Sequence, residues 1–218
     1  MNSDRVLEEI NENGIYVFPE PFLDPEEISK IRYLAAIEHA KNTNSDYQFG
    51  KAARIGNYQN WKGTAIYDLF SRDIVWQVSQ GFFGQPPSFN EIFLTHDYIN
   101  SNGLARNGWL HFDRIPTLKF FMYLTDCDEN CGPFSYSPGS YKIGKKLRED
   151  SISQASGYEE IKNRLEVDFP DLGYTAKDAT PVIGPAGTMF AFHTDLFHVG
   201  GLVQDENSRE VIRIHIRQ

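Results

Sequence analysis

The sequence predicts a mainly β protein with flanking helices, a sheet sandwich or barrel with helical segments at its front. Three observations lead there. Helix-type patterns fall before about residue 85, and short strand-type runs follow the Pro86-Pro87 pair. Aromatic residues make up 14% of the 218, with 16 Phe and 11 Tyr, enough to fill a ring-rich core or pocket. No internal repeat or low-complexity linker divides the chain, so a single domain over 1–218 is expected: a helical segment over 1–85, a β core over 88–218 and a polar insertion at 142–180.

The elements follow in order. Residues 14–18 (GIYVF) read as a short strand, rich in β-branched and aromatic residues. A helix to about residue 40 comes next, with Asp24 as cap, Pro25 in the first turn and Glu27 closing a capping box. Leu23 and Ile28 can staple its entry, and Ile28, Ile31, Leu34 and Ala35 share one face. The polar stretch 42–60 reads as loop, and 65–79 as a second helix stopped near Gly81. In the strand 92–98, Ile92, Leu94, His96 and Tyr98 alternate with Phe93, Thr95 and Asp97. A loop at 101–108 precedes a strand at 109–113 and another at 118–124. A turn at 126–132 leads to a short pairing segment at 134–137 and the Pro138-Gly139 turn. Residues 141–178 form a polar interlude with a helix at 158–165. Strands at 188–193 and 210–217 complete the core.

Charge and composition exclude some classes. Lys and Arg number 21 against 30 Asp and Glu, a net −9, so there is no basic excess to displace counterions from a nucleic acid. No apolar run approaches the ~20 residues of a membrane helix, so no membrane insertion is expected. The opening MNSDRVLEEINENG lacks the apolar segment of a secretory signal, which makes a reducing, cytoplasmic location the expectation. Cys127 and Cys131 have no second pair to complete a four-thiolate zinc site, and read as free thiols in a turn.

Two constellations carry chemistry. In WLHFD, His111 and Asp113 are two apart, so an extended backbone turns both to one face and Phe112 to the other. His198, 87 residues later, can supply a third ligand. Two imidazoles and a carboxylate leave positions open on a metal, which suits ferrous iron admitting a chelating cosubstrate and dioxygen; zinc or manganese takes the same donors. A chance triplet is the plain alternative. The second constellation is the final strand, where Arg209, Val211, Arg213 and His215 alternate with Ile212, Ile214 and Ile216. Facing inward, those cations need partners, and a dicarboxylate would supply one through paired hydrogen bonds. Facing outward, they are a solvated edge.

Five stretches then match one family in order. GIYVFPEPFLDPEEISKIR is similar to its N-terminal strand and helix, WLHFD to the segment carrying the first histidine and the aspartate, and LTDCDENCGPFSYSPGSY to its Pro-Gly-Ser-His segment. GTMFAFHTDLFHVG resembles the stretch with the distal histidine, and SREVIRIHI the strand after it. The sequence thus resembles the phytanoyl-CoA dioxygenase family of iron(II)- and 2-oxoglutarate-dependent oxygenases, which fold as a double-stranded β-helix, a cupin-like jelly roll. Tyr141 stands where the family has a histidine, and the stretch after His198 lacks its usual asparagine. Asp113 disfavours the halogenase variant, in which a small residue makes room for halide.

The resemblance implies Fe(II) held by His111, Asp113 and His198, which are also the catalytic residues, with 2-oxoglutarate as cosubstrate and O2 as oxidant. It puts Arg209 on the distal carboxylate of 2-oxoglutarate. Lys119, Tyr123, Tyr98 and Arg213 are further cosubstrate candidates, and Trp109, Arg114, Ser135 and Tyr141 are candidates to frame a small-molecule substrate. The expected reaction is hydroxylation of an aliphatic C–H with release of succinate and CO2. The alternatives are a non-catalytic metal- or small-molecule-binding β-helix domain, and a cupin-like isomerase or hydrolase. Of the rest, His193-Thr194-Asp195 is a second HxD triplet expected to be a decoy, and His215 and His96 are expected to line the pocket. His39 reads as an ordinary helix residue, and Lys142, Lys145, Lys146 and Arg148 as a solvated basic face.

Overall fold

The computed structural model describes residues 2–41, 50–98, 108–204 and 206–218, so most of the loop expected at 101–108, and residues 42–49 of the loop expected at 42–60, lie outside it. Two antiparallel sheets carry the fold. The larger has the order β1 (Ile15–Val17), β7 (Met189–His193), β4 (Leu118–Tyr123), β9 (Ser208–Arg217), β3 (Phe89–Tyr98) and β2 (Gly50–Gly56). The smaller has the order β6 (Thr180–Pro181), β5 (Phe134–Tyr136) and β8 (His198–Gly200).

Strand alternation sorts the larger sheet into two apolar layers. On its outer face Ile92, Leu94, Leu118, Phe120, Ile212, Ile214 and Ile216 are buried against helix residues such as Ile28, Ile31, Leu69 and Val75. On its inner face Phe121, Tyr123, Phe190 and Phe192 meet Phe134 and Val182 from the smaller sheet's side. Each fully buried ring or branched chain contributes roughly 2 kcal/mol by leaving water. Tyr123 also ties the two sides together: its hydroxyl donates to the Val182 carbonyl at 2.8 Å and accepts the Phe134 N–H at 3.0 Å.

The helices cover the outer face. In α2 (Pro25–Lys41), Asp24 accepts the Glu27 N–H at 2.9 Å while Glu27 accepts the Asp24 N–H at 3.1 Å, the reciprocal box the sequence predicts. Leu23 and Ile28 are both buried beside it, as the staple requires. His39 is buried in that helix.

Several elements differ from the sequence reading. An unpredicted helix, α1 (Ser3–Asn13), opens the chain; Asn2 caps it, Val6 and Ile10 form its buried stripe, and Gly14 at φ 80° ends it. Residues 50–56, read as loop, form edge strand β2, held mostly by ladder bonds to β3 because Ala53 is its one fully buried residue. The helix expected at 65–79 is two, α3 (Ala65–Phe70) and α4 (Asp73–Phe83), broken at Ser71-Arg72. Gly81 lies inside α4, where a Cβ would come within 2.7 Å of Leu7, and the stop is Gly84 at φ 72°. Residues 109–113 are extended without becoming a ladder strand; His111 makes isolated bridges to His198 and Arg164. In the polar insertion the long helix is α5 (Tyr141–Gln154), whereas 158–165 holds only a 3-10 turn, Tyr158–Glu160, before the short α6 (Leu165–Asp168). No helix of the described residues is long and apolar enough to cross a membrane.

Candidate metal centre

Backbone hydrogen bonds bring the three predicted ligands together. His111 and His198 exchange N–H···O bonds at 3.0 and 2.8 Å, and the Asp113 N–H donates to the Thr194 carbonyl at 2.9 Å. Phe112 faces the other way into an apolar cluster with Leu110, Leu165, Phe197 and Val199, so the two-residue spacing works as it would in a strand. The donor atoms of His111, Asp113 and His198 all lie within 4.8 Å of one another. Asp113 Oδ1 is 3.7 Å from His111 Nε2 and 3.6 Å from His198 Nε2. Facial ligation at about 2.1 Å sets donors roughly 3.0 Å apart, so holding an ion requires that triangle to close by roughly 0.6 Å or more.

The protonation states suit a metal. Backbone carbonyls can only accept, so the contacts from His111 Nδ1 to Trp109 O and from His198 Nδ1 to Leu196 O, both 2.7 Å, fix those protons on Nδ1. The Nε2 lone pairs are left facing Asp113, the orienting role outer partners commonly play. Burial, more than any other influence, pushes both imidazoles below the ordinary histidine value, His198 well below it. Burial alone would raise the Asp113 carboxyl, but Lys119, then His198 and His111, outweigh it and hold the group well below the usual carboxylate range. Two neutral imidazoles and one carboxylate, with no further donor joining the cluster among the described residues, fit an iron(II) site open to a chelating cosubstrate.

The inner face of β9 points toward this centre. Arg209 pairs in register with Asp97 of β3, and its Nε and one Nη donate to Asp97 Oδ2 at 3.1 and 2.6 Å. Burial opposes the Arg209 charge, but Asp97 more than offsets it and raises the pKa. That same Nη atom lies 3.9 Å from where a Gly200 Cβ would stand, two residues from His198, so Arg209 sits beside the metal-ligand strand. Lys119 Nζ is 2.5 Å from Asp113 Oδ2. Arg213 lies between the Phe93 and Phe121 rings at 5.5 and 5.2 Å, and His215 packs on Phe93 at 4.4 Å.

Other candidates are placed elsewhere. Tyr98 and His96 pack against each other on the opposite face of β3, because the register with β9 turns Glu91, Phe93, Thr95 and Asp97 inward. Tyr123 does face inward, but its hydroxyl is committed to Val182 and Phe134. Ser135 lies opposite Val199 on the face of the smaller sheet that turns away from His198. Tyr141 sits edge-on to His193 at 5.4 Å, at the start of α5. Trp109, 38% exposed, and Arg114, paired with Glu159 at 3.0 Å, flank the ligand segment.

Arg148 does not belong to a solvated face: it is buried and binds Asp195 through two bonds, at 2.5 and 2.9 Å. His193 and Asp195 belong to that cluster, with the Asp195 N–H donating to His193 Nδ1 at 3.2 Å. Burial pushes His193 down to about 4. The unfolded chain takes up this proton near 6.5 and the folded chain does not, so stability should fall between pH 6.5 and 4, by up to roughly 3 kcal/mol for this one group. Urea unfolding of metal-free protein at pH 7.5 and pH 5 should show the lower midpoint at pH 5, and His193→Gln should narrow the difference without abolishing it, since burial lowers His111, His198 and His215 as well. Cys127 and Cys131 are buried free thiols, and burial raises Cys127 to about 11.

The phytanoyl-CoA dioxygenase (PhyH) family profile matches residues 10–211. The chain belongs to that family. It is therefore a 2-oxoglutarate-dependent, non-haem-iron oxygenase by class, on a double-stranded β-helix. No curated protein matches it. Among solved structures it is similar to HygX from Streptomyces hygroscopicus with nickel, 2-oxoglutarate and hygromycin B bound (16% identity, 98% of this chain and 86% of that one, TM-score 0.64). It is similar as well to SnoK, a non-heme alpha ketoglutarate dependent carbocyclase from nogalamycin biosynthesis (15%, 100% and 86%, TM-score 0.64). A third is the epimerase SnoN in complex with Fe3+, alpha ketoglutarate and nogalamycin RO (14%, 99% and 83%, TM-score 0.61). At such identities these likenesses speak for the fold.

Proposed function

We propose that this oxygenase hydroxylates an aliphatic C–H of a small-molecule metabolite, with 2-oxoglutarate consumed to succinate and CO2. The observation that carries the reading is the convergence of His111 Nε2, His198 Nε2 and Asp113 Oδ1, with Arg209 beside the same strand. His111, Asp113 and His198 would hold the metal, which supplies activation of O2 when bound. The chain's own role is orientation. Carbonyls 109 and 196 fix the imidazole tautomers, and Arg209, held along one edge by Asp97, would offer its remaining donors to the distal carboxylate of 2-oxoglutarate. Trp109 and Arg114, on the ligand segment, are the proposed substrate contacts. A small-molecule substrate is supported by the hygromycin B and nogalamycin RO bound in the similar structures.

The test is succinate release from protein loaded anaerobically with Fe(II), then given 2-oxoglutarate and oxygen, before and after adding candidate metabolites. Oxygenated product from one of them would establish the reaction. Ring closure or epimerisation without net oxygen insertion would replace hydroxylation by the outcome named for SnoK or SnoN. Arg209→Ala should raise the 2-oxoglutarate concentration needed for half-maximal rate by about 10–100-fold, the worth of hydrogen bonds to a charged group. An unchanged dependence there, and a raised one in Arg213→Ala, would move the anchor to Arg213.

A further inference from the structure

The two oxygens of Asp113 have different partners. Oδ1 faces both imidazoles, at 3.7 and 3.6 Å, whereas Oδ2 is held by Lys119 Nζ at 2.5 Å. Lys119 reaches it from β4, where alternation turns Lys119, Phe121 and Tyr123 inward, and its side chain is only 10% exposed. The Phe192 ring lies 5.8 Å from the ammonium, and His215 is its in-register neighbour on β9. A carboxylate gripped in this way offers one oxygen to an ion. Freed, it can rotate and chelate with both, filling a position that a bidentate cosubstrate needs.

Charge leads to the same residue. Of the other cations on the inward face of β9, Arg209 is already matched by Asp97, Arg213 lies between the Phe93 and Phe121 rings, and Arg217 donates to Thr117 Oγ1. A divalent ion, the Asp113 carboxylate and a 2-oxoglutarate dianion together carry one net negative charge. In a buried site that imbalance is costly. Lys119 is the cation that stands within hydrogen-bonding distance of Asp113 to offset it.

We infer that Lys119 is a positioning residue with two effects: it keeps Asp113 a one-oxygen ligand, and it supplies the positive charge that lets 2-oxoglutarate bind. The inference rests on the metal and cosubstrate reading above. It predicts opposite consequences for two ligands of opposite charge. Removing the ammonium takes away a repulsion felt by the metal and an attraction felt by the dianion.

The experiment uses Co(II) as the probe metal, followed by its visible absorption, and then 2-oxoglutarate titrated into the Co(II)-loaded protein without oxygen. Lys119→Met and Lys119→Gln are compared with wild type, with thermal unfolding as the check that each is folded. Both variants should bind Co(II) as tightly as wild type or more tightly, yet lose about tenfold or more in 2-oxoglutarate affinity, about 1.4 kcal/mol. The Co(II) band should change in Lys119→Met, where Asp113 is released, and be retained in Lys119→Gln, whose amide still donates to Oδ2. Metal and 2-oxoglutarate affinities falling together would reduce Lys119 to a packing role and overturn the inference. Full 2-oxoglutarate affinity in Lys119→Gln would overturn the charge effect, and an unchanged band in Lys119→Met the orienting effect. A wild type that binds no Co(II), or no 2-oxoglutarate once loaded, would instead overturn the functional reading, and the inference with it.

Discussion

Asp113→Ala should abolish oxygen-dependent succinate release from Fe(II)-loaded protein. Asp113 Oδ1 is the atom both imidazole nitrogens face, so its loss opens the triangle at its only anionic corner. Partners one shell further out than a ligand already cost about 10–100-fold when removed, so deletion of the ligand itself should exceed about 100-fold and fall below detection. The change also strands the Lys119 ammonium in a buried site, which threatens folding as well as metal binding. Asp113→Asn keeps the volume and a hydrogen-bonding carbonyl oxygen while losing the charge, and should be as inactive while unfolding closer to wild type. Succinate measured by chromatography, with thermal unfolding in parallel, separates the two causes. Near wild-type release from a folded Asp113→Asn protein would sink the proposed ligand set.

Much of this site is legible in the sequence for simple geometric reasons. The His111–Asp113 spacing holds in any extended backbone, so it does not need a true ladder strand at 109–113. The alternation in β9 is equally readable, since Ile212, Ile214 and Ile216 are fully buried on the helix-covered face and Arg209, Arg213 and His215 take the other. The N-terminal capping box is local, and local chemistry reads well.

What the sequence hides depends on register between distant segments. Alternation in β3 yields two sets of residues but not which one turns inward. That is decided by pairing with β9, where Asp97 meets Arg209 across 112 positions of sequence. Sequence reasoning therefore puts Tyr98 and His96 on the wrong face, and misses Asp97, the partner that shapes the Arg209 site. Arg148 misleads for the same reason. Its lysine neighbours suggest a solvated helix face, and its partner Asp195 lies 47 residues further on. Edge strand β2 carries too little apolar alternation to announce itself, because the ladder to β3, not burial, holds it.

The Arg148–Asp195 pair carries the largest expected effect on stability. Helix α5 begins at Tyr141 and lies against the turn that leads into His198: the Phe197 N–H donates to Ser140 Oγ at 2.9 Å, and a Cβ on Gly144 would stand 1.9 Å from the Asp195 carbonyl oxygen. The glycine is what lets the helix approach closely enough for Arg148 to reach a fully buried carboxylate. Arg148→Met removes the cation and leaves Asp195 charged and dry, which costs about 3–5 kcal/mol. A typical domain has only about 5–15 kcal/mol to lose, so urea unfolding should show a large fall in midpoint. The double variant Arg148→Met/Asp195→Asn removes both charges and should recover most of the loss, since replacing a buried pair is far cheaper than breaking it. Because the same turn gives the Thr194 carbonyl to the Asp113 N–H and carries His198, metal affinity should fall in the single variant and return in the double. A single variant within about 1 kcal/mol of wild type would mean instead that the Ser140 and Thr194 bonds suffice to hold the turn, and that the ion pair is only as strong as an exposed one.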